Sequence, residues 1–298
     1  MRRTLLLLVL FAHLSVTFSQ ISSQLSSQTN QVNPASGLSE AAEIALESAR
    51  EAAQEALNTY NEHYLNLPLW QDAQFFGRQA EELTPGHPEP LRFLAEIYTI
   101  TRWYAPAWET WNAYILAGGI LDATSVAYIA EAGNKLAYDY YQRQDLVIAL
   151  DFYQQVINLV PGSIEAYVWT GQIYLDLAQP QQAVPYWQQV VNLNPNDLRA
   201  AYFLDLASDQ TAFGIDAVNA FRRGVQDYEQ GNLESASERF AAAAALNGDY
   251  AEAWAWLGRT AFETADFAGA AVAYERASSI EPANSTYSYF LQESRNRR

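Results

Sequence analysis

The chain has 298 residues, half of them apolar, and no cysteine. That much apolar surface can bury a continuous core, while the lack of thiols excludes disulfides and thiolate metal sites. Acids outnumber bases 34 to 17, a net charge of −17, which repels phosphate backbones, argues against a nucleic-acid partner and leaves a basic partner open.

At the N-terminus Arg2 and Arg3 precede an apolar run, Leu5 to Ala12, and polar residues follow from Ser15. This is the pattern of a cleaved secretory signal peptide. The run is shorter than the roughly 20 apolar residues that span a bilayer. Thr17 and Ser19 place small residues where a signal peptidase reads, so residues 1–19 are expected to be removed. The expected location is secreted or periplasmic, with no stable membrane span after cleavage. Residues 20–37 are rich in Ser, Gln and Asn, without a hydrophobic period, and read as a flexible linker.

Ser39 suits a helix cap, with Glu40 and Glu43 in the first turn, where the helix dipole favours acids. Ala42, Ala45, Ala49, Ala53, Ala56, Tyr60 and Tyr64 follow at three- and four-residue spacing, one face of a long helix that Pro68 would end. A second helix is expected over 69–83, with Pro85 beyond it.

From here the chain repeats. Ala73, Ala107, Ala149, Ala183, Ala236 and Ala270 are separated by 34, 42, 34, 53 and 34 residues. The long intervals are 34 plus insertions of 8 and 19. A small residue at one fixed place is what two closely crossing helices require. Ala95, Ala137, Gly171, Gly224 and Gly258 supply the matching small position on the preceding helices. Large residues keep step: Trp111, Tyr153, Trp187, Phe240 and Tyr274 on second helices, and Tyr64, Tyr98, Tyr140 and Tyr174 on first helices. Pro85, Pro161, Pro195 and Pro282 close units, because proline cannot continue a helix; Gly119 and Gly248 stand there in the other two.

This pattern resembles the tetratricopeptide repeat (TPR), a 34-residue helix–turn–helix unit, over almost all of residues 38–298. The resemblance implies an all-α, right-handed α-solenoid of about six units near 54–87, 88–121, 130–163, 164–197, 217–250 and 251–284. The first unit departs from it, with Asn61 where a small residue belongs and Gly77 where an aromatic belongs. The insertion of eight falls within the stretch Ile120 to Ile129 and would lengthen the next first helix. In the insertion of nineteen, residues 198–207 read as an extra helix and Ser208-Asp209-Gln210 as a turn, with a helix from Thr211 to Gln230 after it. Such an extra helix would bend the stack or divide it into two sub-arrays. Residues 285–298, with Tyr287, Tyr289, Phe290 and Leu291 before a basic end, read as a capping helix.

Catalytic chemistry is not evident. His13, His63 and His87 are not at metal-ligand spacing. Carboxylate pairs such as Glu81 and Glu82 suit a solvated face. No phosphate-cradling loop or nucleophile–base pair stands out. Neither cofactor nor metal is expected, and the chain is not expected to be an enzyme.

In TPR proteins partners often lie along the first helices, on the concave side of the array. Carried over to this sequence, the resemblance points to Arg92 and Glu96, to Asn134, Tyr138 and Tyr141, and to Val168, Gln172 and Leu175. In the last two units it points to Phe221, Val225 and Tyr228, then Ala255, Arg259 and Phe262. Trp169 and Trp256 lie beside these positions. The set is aromatic for a surface, as interface anchors are. One TPR class clamps a C-terminal carboxylate with lysines and asparagines; here only Arg92 is basic near the start and Glu96 stands in place of asparagine, so that clamp is not expected. The expected function is an exported, non-catalytic scaffold for protein or peptide segments. Carbohydrate binding through aromatic rings and homo-oligomeric self-assembly are the alternatives.

Overall fold

The computed structural model describes residues 37–298. The signal peptide read at 1–19 and the linker at 20–37, save Gly37, lie outside the described residues. Fourteen α-helices occupy the described part: α1 (Glu40–Thr59), α2 (Pro68–Leu83), α3 (Pro88–Ile100), α4 (Tyr104–Leu116), α5 (Ala123–Gln142), α6 (Leu146–Leu159), α7 (Ile164–Asp176), α8 (Pro180–Leu193), α9 (Leu198–Phe213), α10 (Ile215–Glu229), α11 (Leu233–Leu246), α12 (Ala251–Glu263), α13 (Phe267–Ile280) and α14 (Ser285–Asn296). The architecture is an all-α repeat. Two compact units divide it, one reaching Thr170 and the other running from Gly171 to Arg298. The division falls inside α7, ahead of the extra helix.

Side chains set the helix starts. Ser39 Oγ accepts from the Ala42 N–H at 3.3 Å, and Asp122 Oδ1 accepts from Ser125 N–H at 2.8 Å. Asp197, Asp266 and Asn284 cap α9, α13 and α14 in the same way. Pro68, Pro88 and Pro180 begin α2, α3 and α8, where a missing N–H costs nothing.

Neighbouring helices pack as antiparallel pairs. In the first unit α1 packs on α2, α3 on α4 and α5 on α6; in the second, α10 packs on α11 and α12 on α13. The crossing is close. Ala73, Ala107, Ala149, Ala183, Ala236 and Ala270 are all fully buried. A Cβ at Gly171 would lie 2.7 Å from Trp187 Nε1, one at Gly224 2.7 Å from Phe240 Cε1, and one at Gly258 2.9 Å from Tyr274 Cδ2. A close approach of the same kind joins the first pair to the second: Phe93 and Leu94 of α3 press to 2.9 Å from where a Cβ of Gly77 on α2 would be.

The turns inside the pairs repeat more strictly than any side chain. Arg102, Gln144, Ala178, Gly231 and Ala265 all have positive φ, from 57° to 80°. Each N–H bonds back three residues, and the next N–H bonds back five, as in Trp103 to Tyr98 (2.8 Å) and Asp266 to Ala261 (2.8 Å). This double bond is the Schellman ending, which glycine favours because it has no Cβ to strain. Only one of the five is glycine.

Three expectations are corrected. The first helix ends at Thr59 and not at Pro68, because Asn58, Thr59 and Asn61 are weak helix formers and the residue before a proline is driven to extended backbone. Leu67 is extended at φ −77°, ψ 139°, and Tyr64 lies off the helix, 44% exposed. The first pair therefore starts at Glu40 and is longer than the unit read at 54–87. The extra helix runs to Phe213, through the turn expected at Ser208-Asp209-Gln210. Ser208 Oγ donates to the Leu204 carbonyl at 2.7 Å and Thr211 Oγ1 to the Ala207 carbonyl at 2.7 Å, so neither hydroxyl competes with the helix. The break comes at Gly214, φ 91°, and the next helix begins at Ile215 and not at Thr211.

Two stability outcomes follow from this packing. Ala178→Gly and Ala265→Gly relieve left-handed strain of ~1–2 kcal/mol against a smaller gain in unfolded-chain freedom. Each is expected to raise the urea midpoint, by about 0.5–1 kcal/mol of stability. Gly224→Ala places a methyl against the Phe240 ring and is expected to lower stability by about 1–3 kcal/mol, although alanine is the better helix former. An unchanged midpoint for Gly224→Ala would contradict the close crossing.

Candidate functional site

The candidate residues separate into groups that the structure treats differently. In the first unit, Arg92 is consumed by its own neighbours. Its guanidinium pairs with Glu96 Oε1 at 2.9 Å, one turn ahead, and with Asp122 Oδ2 at 2.8 Å, at the start of α5. The N–H of Ser125 and the Arg92 guanidinium hold the Asp122 carboxyl down at about 2. This is a strap between α3 and the head of α5. Asn134 is also structural. It is 3% exposed, and its Nδ2 donates to Ser163 Oγ at 3.1 Å.

Tyr138, Tyr141 and Trp169 do come together. The two tyrosine rings stack with centroids 6.0 Å apart, and Trp169 tilts against them at 4.8 and 4.9 Å. All three are half-buried. Below them Tyr153 is fully buried, its hydroxyl pushed far above the usual tyrosine range by burial and by Glu165. The rings give much of their faces to one another, so this trio is a packed seam with exposed edges.

In the second unit Gln172 Nε2 donates to Asp176 Oδ1 at 2.7 Å, a contact along one helix. Phe221 is a core residue, 8% exposed, packed at 5.0 Å from Tyr250 and 5.7 Å from Phe240. The reason is α9: the extra helix and Phe213 at its end cover the start of α10, which the resemblance alone would leave open. Ala255 is likewise buried, under Tyr274 and the capping helix.

The remaining four residues build one site. Tyr228 of α10 lies beside Trp256, Arg259 and Phe262 of α12, which are three to four residues apart and share a face. The Arg259 guanidinium lies 5.0 Å above both the Tyr228 and the Trp256 rings and pairs with Glu263 Oε1 at 3.2 Å. Tyr228 donates its hydroxyl to the same Glu263 oxygen. Phe262 meets Phe290 of the capping helix edge-on at 6.0 Å, and Phe290 stacks on Tyr274 at 5.4 Å. Between α12 and α14 this leaves an open cleft of about 580 Å³, walled by Trp256, Phe262, Tyr274, Tyr287 and Phe290 and edged by Glu252, Arg259, Glu263 and Thr286. Burial raises the Tyr274 and Tyr287 hydroxyls to about 12, so both stay neutral donors at neutral pH. Glu252, Tyr287 and Phe290 were not among the expected site residues. The signal for the last two was present, as apolar residues on a short terminal helix, but nothing local shows that they face α12.

No helix among the described residues is long and apolar enough to cross a membrane. Among the described residues no group of His, Asp and Glu side chains is placed to hold a metal ion.

A family model, the tetratricopeptide repeat, matches residues 164–197 and 251–284. These spans are α7–α8 and α12–α13, and their turns at Ala178 and Ala265 recur in the three other pairs. The chain carries tetratricopeptide repeats over these two spans. No curated protein matches it. Among solved structures, it is similar to a tetratricopeptide repeat protein from Parabacteroides merdae, at 14% identity over 86% of this chain and 99% of that one, TM-score 0.39. It is similar to YrrB, described as a TPR protein with an unusual peptide-binding site, at 19% identity over 72% and 96%, TM-score 0.32. PilF of Pseudomonas aeruginosa matches at 17% identity over 85% and 98%, TM-score 0.30. The repeat assignment rests instead on the two matched spans and on the turn geometry that five of the helix pairs share.

The strap at Asp122 gives a pH outcome. A carboxyl held below its ordinary value of 3.8 stabilises the fold above that pH and loses its contribution as pH falls through about 2. Asp122→Asn should therefore flatten the decline of the urea midpoint between pH 4 and 2. The same acid slope in variant and parent would show that Asp122 is not bound as described.

Proposed function

We propose that this TPR protein is an exported, non-catalytic scaffold that binds protein or peptide segments, and that the cleft between α12 and α14 is where a segment lies. The observation that supports this reading is the cleft itself. Aromatic walls line it from both sides, where a capping helix could have sealed it, and an aromatic-lined groove offers large contact area at small conformational cost. One edge carries Arg259 and the two glutamates, enough polar groups to fix the direction of a bound chain. The non-catalytic part rests on the cleft's chemistry: its titratable groups are a paired Arg259 and Glu263, neutral tyrosines and Glu252, with no nucleophile–base pair among them. Export rests on the residues at 1–19 alone. The carbohydrate alternative draws less support, since the Tyr138, Tyr141 and Trp169 rings stack on one another and leave no broad face for a sugar.

Binding is tested with a displayed peptide library panned against the purified chain. Phe262→Ala removes one wall and is expected to weaken a selected peptide about tenfold or more, with the helical circular dichroism signal retained. A glycan that binds while no peptide does would transfer the assignment to carbohydrate. Export is tested separately by N-terminal sequencing of the protein from its native cell, where a first residue near Gln20 is expected and a retained Met1 would refute cleavage.

A further inference from the structure

The cleft's charges are not balanced, and the imbalance has a direction. Arg259 and Glu263 neutralise each other through the 3.2 Å pair, and Arg259 is further held over the Tyr228 and Trp256 rings. Thr286 and the tyrosines are neutral. Glu252 remains. Its one hydrogen bond is a long one, 3.4 Å from Trp256 Nε1, and among the described residues no cation forms an ion pair with it. Asp209 and Glu281 lie close enough to act on it with the same sign, and only Arg222 opposes them. Glu252 is exposed at the rim of the cleft, and desolvation beside the indole together with these like charges raises its pKa. An unpaired carboxylate at the rim of an aromatic cleft attracts an incoming cation.

Resting on the segment-binding reading above, we infer that the cleft selects a segment with a lysine or arginine at Glu252 and an apolar side chain at Phe262. Charge complementarity identifies the occupant: the site presents one uncompensated carboxylate flanked by indole and phenol faces, which attract a cation electrostatically as well. The spacing is fixed by the helix. Glu252 and Phe262 are ten residues apart on α12, roughly 15 Å at 1.5 Å per residue. An extended segment advances about 3.3 Å per residue, so the basic and apolar side chains stand roughly four or five positions apart. A segment with an acid in the first position would meet Glu252 with like charge, and a free C-terminal carboxylate would find Arg259 already occupied.

The test uses the purified chain and a library of acetylated, amidated nonapeptides, read by fluorescence anisotropy. Selected peptides are expected to carry one basic residue four or five positions from an apolar one. Glu252→Gln keeps the acceptor for Trp256 Nε1 and is expected to raise the Kd of the best peptide about tenfold, less so as salt rises. Glu252→Lys should reject that peptide and accept its partner in which the basic residue is replaced by glutamate, a charge swap that a merely structural role would not produce. Binders without a basic residue, or binders indifferent to Glu252→Gln, would overturn this inference and leave the scaffold reading standing. A library from which nothing binds the parent chain would overturn both. A dimer in light scattering that Glu252→Gln dissociates would overturn it in favour of a second copy seated in the cleft.

Discussion

Three helix pairs here depend on one contact, a large side chain on one helix set against a glycine on its partner. Trp187 over Gly171, Phe240 over Gly224 and Tyr274 over Gly258 leave no room for a Cβ. Backbones at that distance bring the rest of each pair into register, so Ala183, Ala236 and Ala270 are buried as a consequence. A close approach of the same kind also joins one pair to the next. At Gly77 the small residue sits on α2, and Phe93 and Leu94 approach it from α3.

The turn is the second constant, and it explains why the repeat is only partly visible. Five of the intrapair turns use a left-handed residue and the same pair of back-bonded N–H groups; the α1–α2 connection does not. Glycine marks that conformation in a sequence, but Arg102, Gln144, Ala178 and Ala265 do not. The strain at each is of order 1 kcal/mol, small against the burial that the helix crossing secures. Tertiary packing thus imposes a conformation that local preference would not choose. The intervals 34, 42, 34, 53 and 34 between the buried alanines were legible because those positions touch; the turns, which touch little, were legible only as spacing.

Helix existence and pairing register could be read from periodicity, while helix ends and partners could not. Pro68 looked like the end of α1, yet proline acts on the residue before it and the helix had already lost its formers at Asn58 and Thr59. Ser208 and Thr211 looked like a turn because their hydroxyls can compete with the backbone, yet both return to carbonyls four residues back and stay helical. The candidate site shows the same limit. Position within a repeat placed Tyr228, Trp256, Arg259 and Phe262 on one surface, because α10 and α12 are neighbours. It placed Phe221 and Ala255 there too, and both are covered by helices that do not belong to the repeat, α9 and α14. Asn134 had the right position but a nearer partner in Ser163. An element outside the periodic pattern decides which periodic positions stay open.

That last point gives the capping helix two roles. It covers part of the apolar side of the α12–α13 pair, with Phe290 against Tyr274 and with Arg295 paired to Glu275 at 2.9 Å. Full coverage would lay α14 along the whole of α12. Instead its ring contact with α12 is at Phe262, and Glu252, Trp256 and Arg259 of α12 line an open cleft. These three supply an indole, a guanidinium already paired, and a carboxylate that is not. Since the paired Arg259–Glu263 couple contributes almost no net charge, the single carboxylate sets the sign of the cleft, and the rings set its preference for a cation carried on an apolar stem.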